Sequence, residues 1–391
     1  MTPKTWRLVG AAVGALLTFG MAGAAQAQET VRYPTFKVFG RIYLDQVWQE
    51  VDRETGLDFN DQDSRIRTAR IGAEGQFSKR WSYKGEASKA TGGEAQWEDL
   101  LIEYRATDAL AITAGNFKTV SLENISSSRY TTFLEKGPFT DVLDIGRVMN
   151  IRARYAGSNW TVSAAVSADS INTSDPLQAF EGDNDVVAAS ARATYAPVDT
   201  PATKIHLGAW ARTREQQGGG AFVYRTRNNT NFGDRYVSSG AVGEADRMVG
   251  LEGLVIHRSL SLQGEWATTQ VDRLDGAEQD FDVYYLAGSW YLTGEMRSLN
   301  VKKGELGRTK VLKPLGGGGF GAVELAVRYD RADLSGLTGT GDYSAWTAGL
   351  NWHPVDNVRL MANYSRSRNE NPAPGADVDV ETAQVRLQYD F

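Results

Sequence analysis

From Ala383 to Phe391 the chain alternates without a break. Ala383, Val385, Leu387, Tyr389 and Phe391 are apolar, while Gln384, Arg386, Gln388 and Asp390 between them are polar or charged. A helix would scatter these two sets around its circumference, but a strand sends them to opposite faces. The segment is therefore a strand with one apolar and one wetted side. Its final aromatic residue fits the last strand of a membrane barrel, with lipid on the apolar side and a watery lumen on the other.

The other end of the sequence points to the same compartment. Lys4 and Arg7 precede the 14-residue apolar run from Leu8 to Met21, and Ala25-Gln26-Ala27 supplies small residues for cleavage. This is the pattern of a secretory signal peptide, too short to span a bilayer as a helix. Cleavage is expected after Ala27, so residues 1–27 form the removed leader and 28–391 one outer-membrane barrel domain. The absence of cysteine suits passage through an oxidising periplasm. The chain's 41 glycines and 40 aromatic residues suit tight turns, close strand contacts and interfacial girdles, and 10 prolines interrupt few strands.

Period-2 alternation marks sixteen strands, at 36–48, 64–76, 81–89, 97–106, 109–117, 147–156, 160–168, 185–195, 203–214, 247–256, 260–270, 281–292, 322–330, 344–353, 358–366 and 382–391. Connections after even-numbered strands are mostly short, as at Ser78-Lys79, Thr107-Asp108 and Gly157-Ser158. Those after odd-numbered strands are mostly long, notably 49–63, 118–146, 169–184, 215–246 and 367–381. That sorting is expected of a barrel with short periplasmic turns and long outer loops. The fold class is thus all-β, a transmembrane antiparallel β-barrel with inward-folding loops. One connection breaks the pattern: residues 293–321 should be a periplasmic turn but form a long segment rich in Lys and Arg. It is read either as a solvated flap or as a piece tucked into the lumen.

Charge is unevenly distributed. Removing Lys4 and Arg7 with the leader leaves 40 basic against 48 acidic residues, a net charge of −8. Much of the surplus acid falls in outer loops, where it could share divalent cations with lipopolysaccharide. The expected lumen face is mixed, with Arg41, Arg70, Lys84, Arg105, Arg152, Arg154, Arg192, Arg212, Arg328, Arg359 and Arg386 accompanied by Asp45, Glu74, Glu86, Glu103, Glu252, Glu265, Glu324 and Asp390. Lipid is excluded for these positions, since an Arg at the bilayer midplane costs about 2–4 kcal/mol. Each such arginine is read as either paired within the wall or available to a permeant ion.

Several segments resemble the phosphate-selective porin O and P family. They are Gly115-Asn116-Phe117-Lys118, Ser121-Leu122-Glu123, Thr132-Phe133-Leu134-Glu135, Tyr291-Leu292-Thr293-Gly294-Glu295 with Arg297, Ala322 to Tyr329, and Gly349-Leu350-Asn351-Trp352. They occur in the family's order and cover most of the mature chain. The resemblance implies a 16-stranded outer-membrane porin of Gram-negative bacteria, usually a homotrimer. It also implies an anion path lined by arginines and lysines, with 118–146 and 293–321 folding inward. Where the family pattern has an arginine after Phe-Leu-Glu, this chain has Lys136.

The expected function is passive diffusion of small anions, phosphate or polyphosphate foremost. The path residues are Arg129, Lys136, Arg152, Arg154, Lys302, Lys303, Arg308 and Lys310, and the lumen wall is read as Arg41, Arg70, Lys84 and Arg328. The alternatives are a general diffusion porin and a structural or adhesive barrel with a plugged lumen. Phe391 is expected to present the last strand to the barrel-assembly machinery. No cofactor or metal is expected: Asp58, Asp61 and Asp63 lack the spacing of a calcium loop. His206, His257 and His353 fall in separate elements, and Gly316 to Gly319 lacks the Lys-Ser/Thr of a phosphate loop. Compartment and net charge disfavour nucleic acid.

Overall fold

The structure, a computed structural model, describes residues 32–172, 180–181 and 186–391; the signal-peptide reading lies outside the described residues. Sixteen strands make the barrel wall: β1 (Lys37–Arg53), β2 (Phe59–Gln76), β3 (Trp81–Lys89), β4 (Gln96–Arg105), β5 (Leu110–Phe117), β6 (Val148–Ala156), β7 (Trp160–Ser167), β8 (Val186–Asp199), β9 (Thr203–Gln216), β10 (Ser238–His257), β11 (Leu260–Arg273), β12 (Glu278–Tyr291), β13 (Ala322–Asp333), β14 (Asp342–Val355), β15 (Val358–Glu370) and β16 (Val378–Asp390). Each pairs antiparallel with the next, and β16 returns to β1 in a register running from Arg41 opposite Asp390 to Arg53 opposite Val378. Closure follows from the solvent: hydrocarbon offers no hydrogen bonds, so an open sheet edge could not persist there. Every expected strand is found.

Several strands extend past their expected outer ends. β2 begins at Phe59 and β10 at Ser238, and β1 continues to Arg53. Most of the expected outer connections 49–63 and 367–381 are thus strand. Beyond the lipid both faces meet water, so backbone pairing continues while the alternation of polarity stops.

The faces segregate as the alternation requires. Ile42, Leu44, Trp48, Ile71, Ile102, Ile151, Leu207, Leu251, Leu286 and Leu387 are exposed on the outside, while Arg41, Asp45, Glu252, Glu324, Arg328 and Arg386 are buried inside. Arg152 and Arg154 sit between exposed Met149, Ile151 and Tyr155 and are turned to the interior. Around the short-turn end, stacked or tilted aromatic pairs form part of a girdle. Trp81 lies 4.7 Å from Tyr104, Tyr155 5.5 Å from Trp160, and Tyr389 6.0 Å from Phe391. Such rings favour the membrane interface.

The interior is not uniformly wet. On the inner side of β9–β14, Trp210, Met248, Val271, Phe281, Val283, Tyr285 and Tyr343 form an apolar cluster. Phe139, Val142 and Leu143 from the connection after β5 join it, as do Phe222, Tyr224 and Val237 from the connection after β9. The open channel is thereby displaced toward β1–β8.

Candidate functional site: the lumen and its constriction

Two bulges set the charge of the open wall. In the β1–β2 ladder Tyr43 faces Thr68 and Leu44 faces Ile66, so Arg67 is an extra residue and turns inward with Thr68. In the β3–β4 ladder Gly85 faces Leu100 and Ala87 faces Trp97, bringing both Glu98 and Asp99 inside. Strict alternation would have sent one of each pair to lipid. The result is a continuous chain of ion pairs. Arg41 meets Glu86 at 2.6 Å, Arg70 meets Glu98 at 2.7 Å, and Arg147 meets Glu98 at 2.6 Å and Asp99 at 2.7 Å. Lys84 completes it on Asp99. Arg147, just before β6, is held charged by Glu98 and Asp99 despite its burial.

The connection after β5 crosses the lumen. It carries two short helices, α1 (Leu122–Ile125) and α2 (Pro138–Val142). Between them the backbone carbonyls of residues 131–135 would be stranded away from water, and the wall supplies donors to them. Arg359 on β15 donates to Thr131 O at 2.7 Å and Thr132 O at 2.8 Å, and Asn351 on β14 adds a bond to Thr132 O at 2.9 Å. Arg386 on β16 donates to Leu134 O at 2.7 Å, and Arg328 on β13 to Glu135 O at 3.0 Å. The Glu135 carboxylate takes both prongs of Arg67, at 2.8 and 2.9 Å, and one from Arg386 at 2.8 Å. Burial opposes its ionisation, but Arg67 and Arg386 hold its pKa at about 2. These arginines are consumed as anchors.

The long connection after β12 enters from the opposite end. It forms a hairpin of Ser298–Asn300 against Glu305–Gly307. Leu299 and Leu306 pack on Leu122, Leu254 and Ile256, while the Leu306 N–H donates to Ser126 Oγ at 2.9 Å. Gly304 turns the hairpin with φ +61, and any Cβ there would sit 3.0 Å from the Thr194 methyl. Its carbonyl accepts from Arg192 at 2.8 Å. Of the two readings of 293–321, the inward one describes this hairpin. A third inward segment was not foreseen: Arg227, Asn229, Thr230 and Asn231, from the connection after β9, line the same cavity. Asn229 donates to Asp330 at 2.9 Å and Thr347 at 3.0 Å, and Gln384 donates to its carbonyl at 2.9 Å.

What remains open is a cavity of about 1310 Å³ lined, among the described residues, by sixteen basic and nine acidic side chains, a balance opposite in sign to the whole chain's net charge of −6. Of the eight expected path residues, Arg129, Lys136, Arg152, Arg154, Lys303 and Arg308 line it. Lys302 and Lys310 do not; both are exposed, and the hairpin presents Lys303 to the cavity in their place. Arg308 is paired with Asp390, Lys303 lies 3.4 Å from Glu305, and Arg154 lies 3.7 Å from Glu103. Arg41, Arg70 and Lys84 line the wall of the cavity, whereas Arg328 sits buried behind the crossing segment, bonded to Asp330.

Three cavity cations have no carboxylate within 4 Å among the described residues: Lys118, Lys136 and Arg152. Lys136 donates to Asn124 O at 2.6 Å and Ser126 O at 3.3 Å, and Lys118 reaches Asn124 O at 3.4 Å. Arg152 lies over the Phe117 ring at 4.8 Å. Burial draws the Lys136 amine down to about 8 and lowers Lys118 as well, Lys136 itself adding to the latter effect. Lys118 stood in the segment Gly115-Asn116-Phe117-Lys118, but nothing in its spacing distinguished it from a surface lysine.

The family described as phosphate-selective porin O and P matches residues 36–391. An uncharacterised protein of Caulobacter vibrioides is 30% identical over 375 residues, covering 91% of this chain and 74% of the relative. Among solved structures, the anion-selective porin from Comamonas acidovorans superposes with TM-score 0.54 at 12% identity, covering 92% of this chain and 100% of the other. Pseudomonas putida OprB in its high-pH structure gives 0.56 at 9% identity, over 91% and 94% of the two chains. The outer-membrane channel DcaP of Acinetobacter baumannii gives 0.54 at 10% identity, over 92% and 97%. These structural likenesses show the fold alone. With the closed barrel, the open lumen and the near-complete family match, the chain is a diffusion channel of the Gram-negative outer membrane and belongs to the phosphate-selective porin O and P family.

Proposed function

We propose that the channel passes small anions passively, as a diffusion porin with moderate anion preference. The observation carrying this reading is the trio of basic side chains Lys118, Lys136 and Arg152, which line the cavity without a carboxylate partner within 4 Å among the described residues. Selectivity is set by the charges that line the path, so basic side chains without a near carboxylate beside the crossing segment outweigh the chain's acidic sum. Moderate preference follows from the pairing of the rest: Arg41, Arg67, Arg70, Arg147 and Arg386 are each committed to carboxylates. Such arginines stiffen the wall and have few donors left for a passing ion.

Phosphate and polyphosphate are proposed as permeants rather than as the sole substrates. Lys118 and Lys136 can give transient contacts to phosphate oxygens, and Arg152 can present paired donors. A homotrimer is the assembly proposed from the family resemblance, with outer-loop carboxylates available to lipopolysaccharide through divalent cations. The test is the triple variant Lys118→Gln, Lys136→Gln, Arg152→Gln in planar bilayers. Its anion-to-cation permeability ratio should fall several-fold with the channel still open. An unchanged ratio would remove the trio from the filter. Inorganic phosphate that reduces chloride current in the wild type, but not in this variant, supports phosphate passage through the same site.

A further inference from the structure

We propose that the arm formed by residues 310–320, after the luminal hairpin, is a lipid anchor that binds anionic phospholipid in the periplasmic leaflet. The arm starts inside. Val311 is buried with Tyr291 and Ala322, its N–H donating to Asp356 at 2.8 Å, and the Leu312 N–H donates to Glu295 at 3.1 Å. From there the chain passes out around the rim. Leu315 donates to Pro354 O at 2.8 Å, Gly321 returns to Lys313 O at 2.9 Å, and the Trp352 indole donates to Phe320 O at 2.8 Å. Trp352 follows exposed Leu350 on the lipid-facing side of β14, and the Phe320 ring stacks on it at 5.2 Å.

A loop fixed by this many backbone bonds has no need of greasy side chains in water. Yet Leu312, Leu315 and Phe320 are 60%, 50% and 63% exposed. Beside this patch Trp290, Leu325 and Leu350, paired across β12, β13 and β14, and Leu292 just past β12 are likewise exposed. Lipid already covers that belt, so the arm extends an existing lipid surface. Lys310 and Lys313 flank the patch, both exposed and with no carboxylate within 4 Å among the described residues. An apolar wedge bordered by ammonium groups at headgroup depth is suited to acyl chains below an anionic phosphate. This also accounts for Lys310, which the lumen does not use.

The chain has no cysteine, so single labels report unambiguously. Leu315→Cys, and separately Asp108→Cys in the β4–β5 turn, would carry an environment-sensitive bimane in vesicles of phosphatidylethanolamine and phosphatidylglycerol. One lipid at a time would carry brominated acyl chains. At position 315 the emission should be blue-shifted and quenched by bromolipid about twofold more than at 108, with brominated phosphatidylglycerol the stronger quencher. Lys310→Gln with Lys313→Gln should abolish that preference while leaving quenching in place. Equal, weak quenching at 315 and 108 overturns the anchor. Quenching with no phosphatidylglycerol preference overturns the headgroup assignment. Disulfide-linked dimers of Leu315→Cys in place of lipid quenching would mean that a second copy of the chain covers the patch.

Discussion

Arg386 and Asp45 meet in a two-pronged ion pair across the seam where β16 closes on β1, both N–O distances being 2.7 Å. The same guanidinium reaches Leu134 O and Glu135, so one side chain ties the barrel's closure to the segment that narrows its lumen. Replacing Arg386 with Ala strands Asp45 in a buried site and removes one of the two partners of Glu135. Breaking a buried pair from one side costs about 3–5 kcal/mol. We expect a lowered unfolding midpoint in detergent and noisier single-channel currents. Unchanged stability would mean that water replaces the pair without loss.

A pH dependence follows from Lys136 and Glu123. Burial lowers the Lys136 amine to about 8 and raises the Glu123 carboxyl to about 8, Arg328 opposing the latter. Below pH 8 the lysine is charged and the glutamate neutral; above it the lysine is neutral and the glutamate charged. Both changes remove positive charge from the lumen as pH rises, so anion preference should decline between pH 7 and 9. Lys136→Gln should flatten most of that decline. A ratio that rises with pH has the opposite sign and would contradict the assignment.

The luminal hairpin is held mainly by Leu299 and Leu306 against Leu122, Leu254 and Ile256. Truncating a buried Leu to Ala costs about 2–5 kcal/mol. The double variant Leu299→Ala, Leu306→Ala should release the hairpin toward the periplasm, with a higher single-channel conductance and an intact barrel by circular dichroism. Wild-type conductance would show that the hairpin does not limit flow.

Phe391 exchanges backbone hydrogen bonds with Gly40 at 3.1 and 3.2 Å, and its ring lies so close that a Cβ on Gly40 would be 2.6 Å from it. Deleting Phe391, or substituting Gly40→Val, should lower the yield of folded protein in the outer membrane. Conductance of the molecules that do assemble should change little. Pulse-chase appearance of the heat-modifiable barrel measures this; wild-type kinetics would exclude a role for Phe391 in assembly.

How far the sequence carries is seen in particular residues. Alternation found every wall strand and turned Arg152, Arg154, Arg328 and Arg386 inward, because lipid enforces a strict polarity on each face. It failed at Arg67 and Asp99, where a bulge adds one residue and resets the parity. It was blind to the apolar patch of Phe281, Val283 and Tyr285 inside the barrel, since inward apolar residues look like a second lipid face. It also missed the segment around Asn229, whose polar residues are bound to Asp330 and Thr347 across a sequence separation that no local pattern records. Lys302 and Lys310 carry the charge an anion path needs, but charge does not tell which side of a turn faces the lumen.

Basic side chains of the lumen that have no near carboxylate, and not the acidic total of the chain, set the direction of selectivity. The most direct measurement is the zero-current potential of the wild-type channel across a potassium chloride gradient at neutral pH. The expected potential has the sign that reports chloride as the more permeant ion, and it is reduced in the Lys118→Gln, Lys136→Gln, Arg152→Gln variant. A potential of the opposite sign, reporting potassium as the more permeant ion, would contradict it.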